Sequence, residues 1–282
     1  MPVVNVQQKP FSTVELAIGG KRMPIFIDQM GRSVAVSTPP HRIISLVPSQ
    51  TELLFDLGLQ ARIVGITKFC IHPPEALKRK TIVGGTKHFR MELIHRLQPD
   101  LIIGNKEEND KGSIEELSKH YPVWMSDIAT LEDALNMIEA IGKLTQTEEI
   151  ATAIARKISI AFADLAKPPY RQRVLYLIWR KPWMAAGKQT FIDDMLQRGG
   201  WENAITAPRY PVLTDWELHN LTPDWVFLSS EPFPFQEKHL TELRAILPHA
   251  KMLLVDGEMF SWYGSRLQYS AAYLKKLQQT VS

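Results

Sequence analysis

Two stretches 124 positions apart follow one plan. Leu97-Gln98-Pro99-Asp100 runs into Leu101-Ile102-Ile103 and then a polar loop holding Glu107 and Glu108. Leu221-Thr222-Pro223-Asp224 runs into Trp225-Val226-Phe227-Leu228 and then Ser229-Ser230-Glu231. Each is a turn followed by a short apolar run of the kind that forms a strand buried on both faces. A second pair, Arg42-Ile43-Ile44-Ser45-Leu46 and Arg173-Val174-Leu175-Tyr176-Leu177, recurs at an offset of 131. Two matched segments in the same order imply a diverged duplication, so the chain is expected to fold as two similar units.

The pattern between these anchors is alternating α/β. Residues 23–38 alternate apolar and polar on both sides of Gln29-Met30-Gly31, which predicts a β-hairpin. A strand at 42–47, a helix opened by Ser49 with Glu52 three residues on, and a strand at 62–66 make a β-α-β unit. Helix 91–97 leads into strand 100–103, and helix 113–119 into Val123-Trp124. The second half offers strand 173–179, helices 190–198 and 214–221, strand 224–228, helix 236–246 and strand 251–255. Between the halves, 147–166 is helical from Thr147 to the stop at Pro168-Pro169. At a rise of about 1.5 Å per residue it forms a rod about 30 Å long. The expected fold is α/β: two Rossmann-like lobes bridged by one long helix, with a ligand cleft between them at the strand ends. The expected divisions are an N-terminal extension and hairpin (1–40), a first lobe (41–146), the bridging helix (147–167) and a second lobe (168–282).

Composition removes several classes of function. The chain has 282 residues, 45% of them hydrophobic, enough for two real cores. Its net charge of +3 and lack of a basic block predict no attraction to nucleic acid. The single Cys70 excludes an intramolecular disulfide and a multi-cysteine cluster. No apolar run approaches the roughly 18–20 residues of a membrane span. The opening MPVVNVQQKPFSTVEL has neither the basic start nor the apolar core of a secretory signal. Either the protein stays inside the cell or a leader has been trimmed.

The candidate binding residues lie at the strand ends. From the first lobe come Lys68, Cys70 and His72; Thr86, Lys87 and His88; and Glu107, Glu108 and Asn109. From the second come Trp179 and Trp183; Glu231, Phe233 and Phe235; and Glu258, Phe260, Trp262, Tyr263 and Arg266. This density of rings suits a large flat ligand held by stacking, and equally suits core or lobe-interface packing. Phe233 and Phe235, each directly after a proline (Pro232 and Pro234), are expected to line the cleft from a stiff loop. Cys70, His72 and His88 are candidate soft-metal ligands, but Cys-x-His lacks a second paired motif, and a packed Cys with a hydrogen-bonded His explains it as well. There is no G-x-S-x-G, H-E-x-x-H or P-loop to mark an enzyme, and binding without turnover and without an intrinsic cofactor is what the family resemblance given next implies. The alternative is a hydrolase or transferase using Glu107, Glu108 or His88 in the same cleft.

On RIISLVPSQTELLFDLGL, Val83-Gly84-Gly85, LQPDLII, the long middle helix and Tyr263-Gly264-Ser265-Arg266-Leu267, the chain resembles the helical-backbone substrate-binding proteins of ABC importers for vitamin B12, ferric siderophores and haem. The resemblance covers about residues 23–280. It implies a periplasmic, monomeric, non-enzymatic receptor that captures cobalamin, a ferric chelate or haem and delivers it to a permease dimer with its ATPase subunits. It also implies a docking carboxylate on each lobe, Glu92 on the first and Glu217 on the second, the latter one place from the expected site at Trp216. The cobalamin binders of this family carry a Trp near Thr86 and an Asp/Arg pair near Glu258 and Trp262, arrangements this chain does not keep intact. A cytoplasmic metallocofactor-binding protein is the alternative the missing leader leaves open.

Overall fold

The Arg-strand and Leu-x-Pro-Asp repeats turn out to be one lock used twice. At the start of each central strand, the Asp side chain of the Pro-Asp turn receives the strand's backbone. Asp100 accepts from His41 N (2.7 Å) and Arg42 N (2.8 Å), and Asp224 accepts from Arg173 N (2.7 Å). The arginine answers: Arg42 Nε donates to Leu97 O (2.8 Å) and Arg173 Nη1 to Thr222 O (3.3 Å). The duplicated residues therefore fix where two neighbouring strands begin, in each lobe separately.

The computed structural model describes residues 15–18, 21–166, 168 and 170–281. The leader question concerns the chain start, which lies outside the described residues. Glu15–Ile18 (β1), Lys21–Ile27 (β2) and Ser33–Ala35 (β3) form an antiparallel sheet in the order β1-β2-β3. The expected hairpin is β2-β3, turning through Gly31 at φ +75°. Its tip is fastened by buried Asp28, which accepts from Met30 N and Arg32 N, and by Arg32 Nη2, which donates to Val123 O (3.0 Å).

Lobe one comprises Ile43–Ser45 (β4), Pro48–Asp56 (α1), Ile63–Ile66 (β5), Ala76–Arg79 (α2), Thr81–Ile82 (β6), Met91–Leu97 (α3), Leu101–Asn105 (β7), Lys111–Ser118 (α4) and Val123–Ser126 (β8). Its sheet is all parallel, in the order β6-β5-β4-β7-β8. Leu131–Thr145 (α5) and Glu148–Ala163 (α6) follow. Lobe two comprises Arg173–Trp179 (β9), Trp183–Ala185 (β10), Phe191–Arg198 (α7), Glu202–Asn203 (β11), Val212–Leu213 (β12), Asp215–Asn220 (α8), Trp225–Ser229 (β13), Glu237–Ile246 (α9), Lys251–Val255 (β14), Glu258–Ser261 (α10) and Leu267–Val281 (α11). Its sheet runs β12-β10-β9-β13-β14, with β11 also paired to β9 and β10 antiparallel to both neighbours.

The two sheets are separate, and each is buried on both faces. In lobe one, Ile44, Leu46 and Ile102 pack under Ile94 of α3 and Ile114 and Leu117 of α4. In lobe two, Leu175, Leu177, Val226 and Leu228 pack under Leu218, Leu240 and Leu243 of α8 and α9. The opposite faces share one core: Ile43, Leu101 and Trp124 of lobe one and Val174, Tyr176 and Phe227 of lobe two join through α5, α6 and α11. The bridge is thus a packed helix pair rather than a free rod. A Cβ added to Gly142 of α5 would lie 2.4 Å from the Cβ of Ala151 in α6.

Three local expectations are corrected. The bridging helix ends at Ala163 with Asp164 as its C-cap, short of residue 166. Pro168 has no N–H to bond the Asp164 carbonyl, so the helix cannot run on through it. Helix α1 starts at Pro48 behind Val47, with no side-chain cap, so Ser49 does not open it. Glu52, expected as the partner of Ser49 in a capping box, points elsewhere. Helix α5 carries its own capping box, Thr130 with Asp133.

Candidate functional site

The C-terminal ends of the parallel strands of both sheets face each other, and side chains from these ends bond across the gap. From lobe two, the Tyr263 hydroxyl donates to Glu108 Oε1 (2.7 Å) and the Tyr210 hydroxyl to Glu107 Oε2 (3.0 Å). Arg209 pairs with the same Glu107. Arg266 makes two parallel bonds to Glu52, 2.9 Å from Nε and 2.6 Å from Nη2, and its Nη1 lies 2.8 Å from Glu258. His72 of lobe one reaches Glu258 (3.1 Å) and meets the Trp262 ring edge-on at 5.3 Å. The backbones come close too: a Cβ on Gly264 would lie 2.3 Å from Ser49 O. That approach requires glycine.

Consecutive residues of one segment hold two carboxylates, Glu231 and Glu108, that have no ion pair among the described residues. Trp262 Nε1 donates to Glu231 Oε1 (3.0 Å), joined by the Ser261 hydroxyl, while Tyr263 holds Glu108. Burial pushes the Glu108 carboxyl up to about 7; the Tyr263 bond and the Lys87 charge oppose this, and the Glu231 charge adds to it. Burial raises Glu231 and Asp256 as well, each reinforced by the charge of Glu258. Burial acts against charge on Arg266, but the bonds and charge of Glu52 and the charge of Glu258 outweigh it. The site is therefore a carboxylate-rich layer in which hydroxyl and guanidinium donors carry the lobe-to-lobe contact.

Of the expected site residues, His72, Glu107, Glu108, Glu231, Glu258, Trp262, Tyr263 and Arg266 are brought together here. Lys68, Lys87, His88 and Trp179 are exposed, and Thr86 is half-buried. Lys87 Nζ donates to Glu107 O (2.6 Å).

Five others lie in the interior. Cys70 is fully buried, bonded by Thr51 Oγ1 (3.0 Å), with burial pushing its thiol up. It is a packed cysteine, and no group of three His, Cys, Asp or Glu among the described residues could hold a metal ion. Asn109 is spent tying loops, accepting from Asn105 N (2.8 Å) and donating to Thr86 O (3.0 Å). Phe260 packs against Tyr176 at 5.0 Å. Trp183 donates to Asp215 and stacks on Phe235, which is 6% exposed and belongs to the core under α9. The expectation that the Phe-Pro-Phe loop lines the cleft is therefore corrected. Phe235 N bonds back to Ser229 O (3.3 Å), which folds its ring under α9, and half-buried Phe233 sits between Phe235 (4.8 Å) and Trp179 (5.7 Å).

Glu52, Arg209 and Tyr210 went unselected in the sequence. Glu52 carried a capping signature that masked it. Arg209 and Tyr210 sit between Pro208 and Pro211, a pair of breakers that announced a turn but not its target. The expected docking residues are both exposed. Glu92 lies in the first turn of α3, whereas Glu217 bonds Thr214 N (2.7 Å) in the capping box of α8, beside Trp216 at 75% exposure.

The family model described as a periplasmic binding protein matches residues 43–245. The chain belongs to the periplasmic binding protein family. Among its relatives is the vitamin B12-binding protein of Vibrio parahaemolyticus, 26% identical over 73% of this chain and 76% of that one. The ABC transporter substrate-binding lipoprotein YvrC of Bacillus subtilis is 24% identical over 86% of this chain and 82% of that one. The periplasmic heme-binding protein RhuT of Roseiflexus sp. RS-1 shares the fold at a TM-score of 0.75 and 21% identity, covering 86% of this chain and 97% of that one.

Proposed function

We propose that this periplasmic binding protein is the receptor of an ABC importer, and that it holds a metal-bearing macrocycle or chelate between its lobes and releases it unchanged to a permease dimer with its ATPase subunits. The observation that carries this reading is the meeting of strand ends from two sheets, with polar side chains bonded directly from lobe to lobe. Such a junction binds by closing on its cargo. The relatives' functions, vitamin B12 binding and ABC substrate binding, fit the same site. A corrinoid, a ferric chelate and haem are the cargo classes. The receptor works as a monomer outside the cytoplasmic membrane, with lobes at 41–146 and 168–282. Glu92 is the docking carboxylate of lobe one, free at the surface to pair with permease arginines. Glu217, holding its own helix start, serves that role less freely.

One observation favours a second reading, because a carboxyl near 7 has the proton affinity of a general base. In Glu108, however, one carboxylate oxygen is already held by Tyr263 from the other lobe, a contact that serves closure. Titration of the purified protein with cyanocobalamin, haemin and a ferric hydroxamate separates the two. Saturable binding with cargo recovered unaltered is expected, and chemical conversion of any of the three would overturn the receptor reading.

A further inference from the structure

Adjacent carboxylates Glu107 and Glu108 of lobe one are both taken by lobe two, and the segment that takes Glu107 is built to do so. Residues 206–212 run from the connection after β11 into the first residue of β12. Their backbone is fastened to the turn after β10: Gly187 N donates to Arg209 O (2.7 Å), Arg209 N to Lys188 O (2.8 Å) and Lys188 N to Ala207 O (2.9 Å). A Cβ on Gly187 would lie 2.1 Å from Ala207 O, so the two segments pack backbone on backbone. Within this frame Arg209 is held at φ +65°, in the left-handed region that an arginine enters only at a cost. A free turn would place glycine or asparagine there. Arginine is instead clamped on both sides, its Nη1 donating to Gln189 O (2.9 Å) and its Nη2 paired to Glu107 on the other lobe. The next residue, Tyr210, adds its hydroxyl to the same carboxylate. Strain maintained by surrounding bonds at a lobe-to-lobe contact is the signature of a position selected for where its side chain points.

We propose that residues 206–212 form a strap that competes with cargo: Arg209 and Tyr210 hold Glu107 when the lobes are shut, and cargo enters by displacing them with donors of its own. The inference rests on the receptor reading. It adds a cargo class, because a displaced strap leaves a carboxylate without its cation and hydroxyl. Glu108 and Glu231 stand beside it, with Lys87 the neighbouring cation, bonded to Glu107 O. A cargo whose rim carries carboxamide or ammonium N–H groups replaces the lost bonds. A cargo whose rim carries carboxylates meets like charge.

The test compares the parent with Arg209→Gln/Tyr210→Phe, a double change that keeps the stem and the ring. Dicyanocobinamide, with a rim of carboxamides, and haemin, with two propionates, are titrated by tryptophan quenching. The parent is expected to bind dicyanocobinamide more tightly than haemin. The variant is expected to bind dicyanocobinamide about 5- to 10-fold more tightly still, the worth of one hydrogen bond and one part-exposed ion pair. A second arm needs no variant: raising NaCl screens the Arg209–Glu107 pair, whose side chains are 46% and 19% exposed, and should strengthen dicyanocobinamide binding by the parent. Unchanged or weaker dicyanocobinamide binding by the variant, or weaker binding by the parent as salt rises, overturns the strap. A parent that prefers haemin overturns the cargo class and marks Arg209 as a contact for cargo carboxylates. Failure of both probes and of the ferric hydroxamate to bind parent and variant alike removes the receptor reading, and the strap with it.

Discussion

Replacing Glu108 with Gln should stabilise the protein, and increasingly so as pH rises. The carboxyl is held at about 7 against an ordinary value of 4.5, because burial penalises its charged form more than Tyr263 and Lys87 favour it. The folded chain therefore binds the proton more tightly than the unfolded chain. The stabilising contribution of protonated Glu108 is complete below pH 4.5 and is lost as pH climbs through 7. The difference between 4.5 and about 7, at about 1.4 kcal/mol per pH unit, amounts to about 3 kcal/mol of folding free energy lost across that window. Glutamine keeps the carbonyl that accepts from Tyr263 but never ionises, so it escapes this loss. Urea unfolding of parent and Glu108→Gln at pH 4, 5, 6, 7 and 8 checks it, because titrations common to both chains cancel in the difference. The gap should widen in favour of the variant from pH 4.5 upward and level off above pH 7 by about 3 kcal/mol. A gap that stays flat from pH 4 to pH 8, or one that narrows, refutes the burial argument.

The remaining expectations are more local. Phe235→Ala removes a ring that is 6% exposed from the α9 core, which should cost about 3–5 kcal/mol in thermal unfolding and leave cargo affinity unchanged; lost affinity at full stability would return the ring to the cleft. Gly142→Ala in α5 would on helix propensity gain up to about 1 kcal/mol, yet its new Cβ meets Ala151 at 2.4 Å, so a net loss of about 1 kcal/mol is expected, and a raised melting temperature would refute it. Glu92→Ala should slow import into vesicles carrying the permease while leaving cargo affinity and melting temperature alone, because the side chain is exposed in the first turn of α3; unchanged import at low salt removes the docking role.

What the sequence made legible follows from range. The repeated Arg-strand and Leu-x-Pro-Asp pairs are local signals with a local cause, the Asp–backbone lock, and they placed both sheets correctly. The rule that ligands gather at strand ends then found most of the lobe-to-lobe set, from His72 to Arg266. It failed on rings. Nothing in Phe-Pro-Phe distinguishes a ring facing a cleft from one turned under a helix, because the difference is set by α9 folding over the loop. It failed again on Arg209 and Tyr210, whose position depends on β10 pairing with β12, Trp183 opposite Leu213, and on a left-handed arginine that no propensity favours. Glu52 misled for the opposite reason. Its spacing from Ser49 satisfied a local motif, and a bidentate arginine 214 residues away outcompeted it.

The distribution of contacts between the lobes constrains how the receptor can open. The faces of the two sheets that join through α5, α6 and α11 form one apolar core, and separating them would expose residues such as Ile138, Ile158 and Leu274, none of which reaches solvent. Each such side chain is worth about 1.5–3 kcal/mol of burial, so a wide hinge would cost far more than the total stability of an ordinary domain. The strand-end contacts are of another kind. Each is one or two polar bonds of about 0.5–1.5 kcal/mol, and the Arg209–Glu107 pair is partly in water. Opening therefore divides along the line between core and clasp: the helices stay packed, and the polar side chains let go. A receptor built this way admits cargo by releasing a few bonds at the rim, and its affinity is set by how well the cargo replaces them.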